Sequence, residues 1–207
     1  MEPTQWLSLF SICLLGAMSP GPSLAVVVNA ALQGGRGHGI VAALSHGVGV
    51  GLYGLLTVTG LAVLIARSPN VFLAMQLAGA VYLAYLGVRS LRSAGSGPVQ
   101  APDEPATGNA RAAAINGFLV AFLNPKLAVF MLALFAQFLR PEAGVMEKGI
   151  MVLTVGVTDA AWYVLMASLV SHPAFLARLR RSAALIDRAF GIILILLALS
   201  VAIRALS

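Results

Sequence analysis

Residues 14–35 read "LLGAMSPGPSLAVVVNAALQGG". The stretch is apolar enough to lie in a bilayer, yet Ser19-Pro20-Gly21-Pro22 falls in its middle. Proline lacks the backbone N–H and crowds the preceding turn, so a helix through this stretch must break there. Nothing from Pro3 to Gly35 is charged. The reading that decides the fold is therefore a membrane span with a helix break deep inside it.

Composition agrees with lipid as the solvent. Of 207 residues, 59% are hydrophobic and 10% charged, and the mean hydropathy is +0.93. A soluble domain carries about 25% charged residues, so this chain could not cover its own surface in water. The formal net charge of +6 is distributed between apolar runs, which points to orientation in a membrane. No basic cluster is interleaved with aromatic residues, and nucleic acid is not an expected partner. The single cysteine, Cys13, lies in an apolar run and excludes an intrachain disulfide and a multi-cysteine metal site. Glu2 stands where a signal peptide would carry Lys or Arg, and the apolar run after it is too long for a signal peptide, so it reads as a retained span.

Runs poor in charge place six spans near residues 4–34, 39–66, 70–88, 112–139, 149–170 and 186–205. Each reaches about 20 residues, enough for a helix to cross the hydrocarbon core, and helices satisfy their own backbone in lipid. The runs lack the polar–apolar alternation of barrel strands. Arg188 and Arg204 can snorkel at the ends of the sixth run. The stretch "RSAGSGPVQAPDEPATGNAR" at residues 92–111 reads as a flexible linker. It divides the chain into a first three-helix unit (1–92), a linker (93–111) and a second three-helix unit (112–207). The loops after spans one, three and five carry Arg36, Arg89, Arg92, Arg111, Arg178, Arg180, Arg181 and Arg188. The opposite side carries Arg67, Arg140, Lys148 and Arg204. The positive-inside rule then puts the richer side in the cytoplasm and both termini outside.

The two units echo each other. Pro22-Ser23-Leu24-Ala25-Val26 matches Pro125-Lys126-Leu127-Ala128-Val129 at four of five positions. Each match falls at a proline break inside the first span of its unit. Three spans is an odd number, so the second unit inserts upside down, the inverted-repeat plan of many transporters. The expected fold is an all-α membrane protein of six transmembrane helices in two inverted three-helix repeats, with helices 1 and 4 broken.

Ser19-Pro20 and Asn124-Pro125 share a local logic. Ser and Asn are good N-caps and Pro favours the first helical position, so each pair reads as a helix starting in mid-membrane. Such a start presents unpaired N–H groups and a positive dipole end, suited to an anion such as a carboxylate. The other reading is a proline kink satisfied by neighbouring helices. Lys126 and Asp159 are read as the only full charges well inside the spans, where a charge must be paired or wet. They suit a substrate carboxylate and an ammonium or proton, or else pair with each other. His46 lies near mid-depth. Imidazole titrates near neutrality and suits proton transfer, although a lone buried histidine is equally a packing residue. Gly47, Gly51 and Gly54 form a small-residue stripe for close helix approach. Asn29, Gln137 and Trp162 either line a cavity or pack between helices.

Four segments together resemble the LysE/RhtB family of amino-acid exporters. They are "MSPGPSLAVVV" at residues 18–28, "GAVYLAYLGVRSLRS" at 79–93, "NGFLVAFLNPKLAVFMLALFAQF" at 116–138 and "VTDAAWY" at 157–163. With length and span pattern the likeness covers nearly the whole chain. It implies a bacterial inner-membrane exporter of amino acids or close derivatives, driven by an ion gradient. Pro20, Gly21, Pro22, Asn124, Pro125, Lys126 and Asp159 fall on family motif positions. Many members carry Asn where this chain has Ser23.

The expected function is secondary export of a small amino acid, preferably neutral, with proton coupling and one half rocking against the other. Ser19, Pro20, Gly21, Pro22, Asn124, Pro125, Lys126 and Asp159 would bind it, and Asp159 with His46 would handle the proton. The preference for a neutral substrate rests on Asp159 being read as the lone buried acid. A basic amino-acid exporter and a metal or inorganic-ion exporter are the alternatives, with a membrane enzyme or passive channel further away. No H-E-x-x-H, nucleophile elbow or paired aspartates mark an enzyme. No cofactor or metal is expected. Membrane lipid and the amino acid are the expected partners, and a homodimer is compatible with the pattern.

Overall fold

The computed structural model describes residues 2–19, 21–93, 109–170 and 173–206, with the side chains of Pro125 and Lys126 among those left out. Pro20 and most of the 93–111 linker lie outside these residues. Among the described residues there are eight helices and no strand: α1 (Pro3–Met18), α2 (Pro22–Gly34), α3 (Arg36–Arg67), α4 (Pro69–Ser93), α5 (Ala110–Phe122), α6 (Pro125–Phe138), α7 (Val145–Leu169) and α8 (Pro173–Leu206). Four of them are long and apolar enough to cross a membrane. The other four form two bent pairs, α1–α2 at 58° and α5–α6 at 55°, which bring the candidate spans to six if each pair is one span. A 16-residue helix such as α1 rises only about 24 Å, less than the hydrocarbon core, so neither arm of a pair need span it alone. Large apolar side chains stand exposed on every long helix, among them Val48, Val81, Leu153 and Leu196. Such a girdle is costly in water and costless in lipid.

The breaks fall where proline chemistry puts them, with one correction. α2 begins at Pro22, with Gly21 as its N-cap, whereas Ser19 is the C-cap of α1. The reason is local: a residue before proline is driven out of the helical region. Ser19 precedes Pro20 and Gly21 precedes Pro22, and both are extended. Asn124 does cap α6, its Oδ1 accepting the Leu127 N–H at 3.3 Å. α5 starts at Ala110 under an Asn109 cap that accepts the Arg111 N–H, inside the stretch read as linker. α8 is 34 residues long and starts well before residue 186, because no proline interrupts the chain after Pro173.

The two sequence halves do not pack as separate bodies. α3 packs chiefly on α7 and α5, and α1 on α7, while α4 packs on α8 and α6. The glycine stripe of α3 meets α7: a Cβ on Gly47 would lie 2.5 Å from the Ala160 Cβ, and Gly51 faces Gly156. Thinner contacts join the α1, α2, α3, α5 and α7 group to the α4, α6 and α8 group. One apolar core runs through Leu9, Val50, Leu83, Leu134, Met151 and Leu194, and a second beside α2 holds Leu24, Val27, Ala42 and Met166.

Candidate substrate-binding site

A cavity lies along the line where the two helix groups meet. It takes in about 740 Å³ of space between atoms, part of it open at the mouth. Its polar lining is Ser19, Ser23, His46, Asn124, Asp159 and Tyr163. Leu86, Phe130 and Phe190 close the side formed by the α4, α6 and α8 group. The site is therefore an apolar chamber with a few convergent polar groups.

His46 on α3 and Asp159 on α7 are brought together from 113 residues apart, with Nδ1 at 2.6 Å from Oδ2. The glycine and alanine contacts beside them set this approach, since Gly47 and Ala160 follow the two residues directly. His46 is 1% exposed and Asp159 8%. With Asp159 ionised, Nδ1 carries the hydrogen and donates it, which leaves the lone pair on Nε2. Nε2 is buried and has no hydrogen-bond partner among the described residues. The Tyr163 ring meets the imidazole edge-on at 5.0 Å, and its phenol interacts with Ser23. The arrangement is a basic nitrogen, oriented by a carboxylate, at the wall of a chamber.

The first break borders the same chamber through Ser19, Gly21, Pro22 and Ser23. Gly21 gives α2 no side-chain cap; Pro22 has no N–H to satisfy, and among the described residues no side chain caps the Ser23 and Leu24 amides that follow. Asn124 also borders the chamber, but its side chain caps α6. Pro20 and the Pro125 and Lys126 side chains fall outside the described residues. Asn29 is buried within α2 and is not part of the chamber wall. Gln137 donates to the Gln76 carbonyl across α4 and α6, and Trp162 packs against the second core. Among the described residues no three His, Cys, Asp or Glu side chains are placed to share a metal ion.

Sequence reasoning missed Asp187. Its Oδ1 accepts the Ser19 hydroxyl at 3.0 Å, so a second acid stands directly behind the first break. A signal was available. Asp187, Phe190, Leu194, Ala198 and Val201 fall on one helical stripe, and the four apolar members are buried. The neighbouring Arg188 drew the pair towards a span-end reading.

Comparison with known proteins places the chain among transporters. It is 25% identical over 185 residues to a threonine efflux protein of Escherichia coli, covering 88% of this chain and 89% of that one. It is 28% identical over 137 residues to a homoserine/homoserine lactone efflux protein of Salmonella typhimurium, 66% of each chain. An uncharacterized membrane protein of Pseudomonas aeruginosa is 30% identical over 161 residues, 74% of each. No solved structure matches the chain. The family of LysE type translocators matches residues 14–205; the protein, a multi-pass chain of apolar helices, belongs to that family.

Proposed function

We propose that the protein is a secondary exporter of a small zwitterionic amino acid with a neutral side chain, coupled to the proton gradient. One observation carries this reading: the uncapped start of α2 and the His46–Asp159 pair open into a single chamber. The substrate carboxylate takes the Ser23 and Leu24 amides at the start of α2, where the helix dipole favours an anion. Lys126, in the first turn of α6, is the second candidate for that carboxylate. Asp159 fixes the His46 tautomer, and Nε2 receives the proton that leaves when the chamber faces the other side. Relatives named for threonine and homoserine efflux support an amino acid without a charged side chain.

Six spans in two inverted repeats fit the two bent pairs and the pairing of α3 with α7 and of α4 with α8. Alternating access then works by rocking of α4, α6 and α8 against the remaining helices around the chamber, since the thinner contacts lie along that seam. The charge pattern of the loops supports an inner-membrane protein with both termini outside. A second reading is export of lysine or arginine: the hydrogen bond from Ser19 to Asp187 leaves the Ser19 hydroxyl, which lines the chamber, as an acceptor that could serve a cationic side chain.

The test is efflux from cells preloaded by dipeptide feeding, with and without the gene, following neutral and basic amino acids together. Faster, uncoupler-sensitive loss of neutral ones is the expected result. Faster loss of lysine or arginine would favour the second reading, and no change in either set would overturn amino-acid export.

A further inference from the structure

We propose that Asp187 is a positioning residue for export: it takes the only hydrogen of the Ser19 hydroxyl, so that Ser19 presents an acceptor oxygen to the ammonium group of the substrate. The inference rests on the exporter reading above and assigns the end of the chamber at which the ammonium lies.

Ser19 lines the chamber and Asp187 does not, so Asp187 acts through Ser19. A serine hydroxyl has one hydrogen and two lone pairs. The hydrogen goes to Asp187 Oδ1 at 3.0 Å, and only lone pairs remain for a ligand. A carboxylate would be repelled there, while an ammonium would be held by an oxygen polarised by a carboxylate behind it. The first α2 amides that can donate, those of Ser23 and Leu24, lie four and five residues further along the chain, since Pro22 has no N–H. The break therefore offers an acceptor and a set of donors side by side, the pattern complementary to a zwitterion.

The support behind Ser19 is rigid on both sides. Ser19 is pinned as the α1 C-cap by its N–H to the Leu15 carbonyl at 3.0 Å. Asp187 is pinned through its own carbonyl, which accepts the Ser90 hydroxyl of α4 at 2.8 Å. One turn away, α4 and α8 touch backbone to backbone: a Cβ on Gly87 or on Gly191 would lie 2.7 Å from the other's carbonyl oxygen. The Ser19–Asp187 bond also crosses the seam between the helix groups. This arrangement lets the same contact that orients the ammonium report on closure of the chamber.

The experiment measures export by the full-length protein in vesicles, as half-saturating concentration and maximal rate, for Ser19→Ala, Asp187→Ala, Asp187→Asn and the Ser19→Ala/Asp187→Ala pair. Loss of one such hydrogen bond to a charged ligand predicts about a tenfold rise in half-saturation for either alanine variant, with the maximal rate little changed. The double variant is expected to be no worse than a single one, because the residues act as one unit. Asp187→Asn keeps an acceptor for Ser19 and is expected to recover part of the loss. Ser90→Ala removes the hydrogen bond that pins Asp187 and is expected to raise half-saturation by less than Ser19→Ala or Asp187→Ala. A Ser19→Ala curve superimposed on the wild type, or fully additive losses in the double variant, would overturn the proposal while leaving export standing. A wild-type protein that moves no amino acid would remove the exporter reading and this inference with it.

Discussion

The two bent helix pairs, α1–α2 and α5–α6, both break at a proline and differ in how their second helix begins. The α5–α6 break is closed by its own sequence: Asn124 supplies the cap that the first turn of α6 needs. The α1–α2 break is left open. Gly21 offers α2 no side chain, and the Ser19 hydroxyl donates its hydrogen to Asp187. A capped start stabilises its helix, and an uncapped start in a low-dielectric chamber stabilises whatever anion reaches it. On the exporter reading proposed above, the difference gives structural work to one break and ligand work to the other.

Three substitutions test that division, in order of expected effect. Asp159→Asn keeps an acceptor for His46 but removes the charge that fixes its tautomer beside the open break. Export should fall by about 100-fold or more, the scale of a lost proton-transfer partner, while the detergent-purified protein stays monodisperse. Near-normal efflux would mean that the chamber next to the open break is not where coupling happens. Gly21→Asn gives α2 the cap that α6 already has. The extended backbone at Gly21 accepts asparagine without strain, so thermal stability should hold or rise while half-saturation worsens about tenfold, as one charge-assisted hydrogen bond is contested. An unchanged transport curve would erase the distinction between the breaks. Asn124→Ala removes the cap of α6 and should cost about 1 kcal/mol in unfolding stability, with transport changed less than in the other two variants. A transport defect as deep as that of Asp159→Asn would show that the second break also does ligand work.

Much of this was legible in the sequence because it depends on neighbours along the chain. Proline sets its own backbone and that of the residue before it, so both breaks could be located to within a few residues. The start of α2 was misplaced by two residues because Pro20 was read as the first helical residue. The rule for residues that precede proline, applied to Gly21, moves it to Pro22. The pairing of His46 with Asp159 depends on how α3 crosses α7, and no local pattern encodes a partner 113 residues away. The glycine stripe marked a close-packed face of α3 without naming the helix on it. Asp187 was hidden by its position, at the first turn of an apolar run and next to an arginine. Only the buried stripe it shares with Phe190 and Leu194 separates it from an interfacial acid. The packing of α4 with α6 and α8 across the two sequence halves was likewise invisible, since hydropathy gives spans and not neighbours.

The most direct test of the account is whether the ligand is held by its carboxylate. The purified wild-type protein would be melted in the presence of the amino acid that the efflux assay identifies, and separately with the amide of the same amino acid. The account predicts thermal protection by the amino acid and none by the amide, which keeps the ammonium and side chain but cannot place an anion on the free amides of α2. Equal protection by both would contradict it, and would leave the open break as a kink with no part in binding.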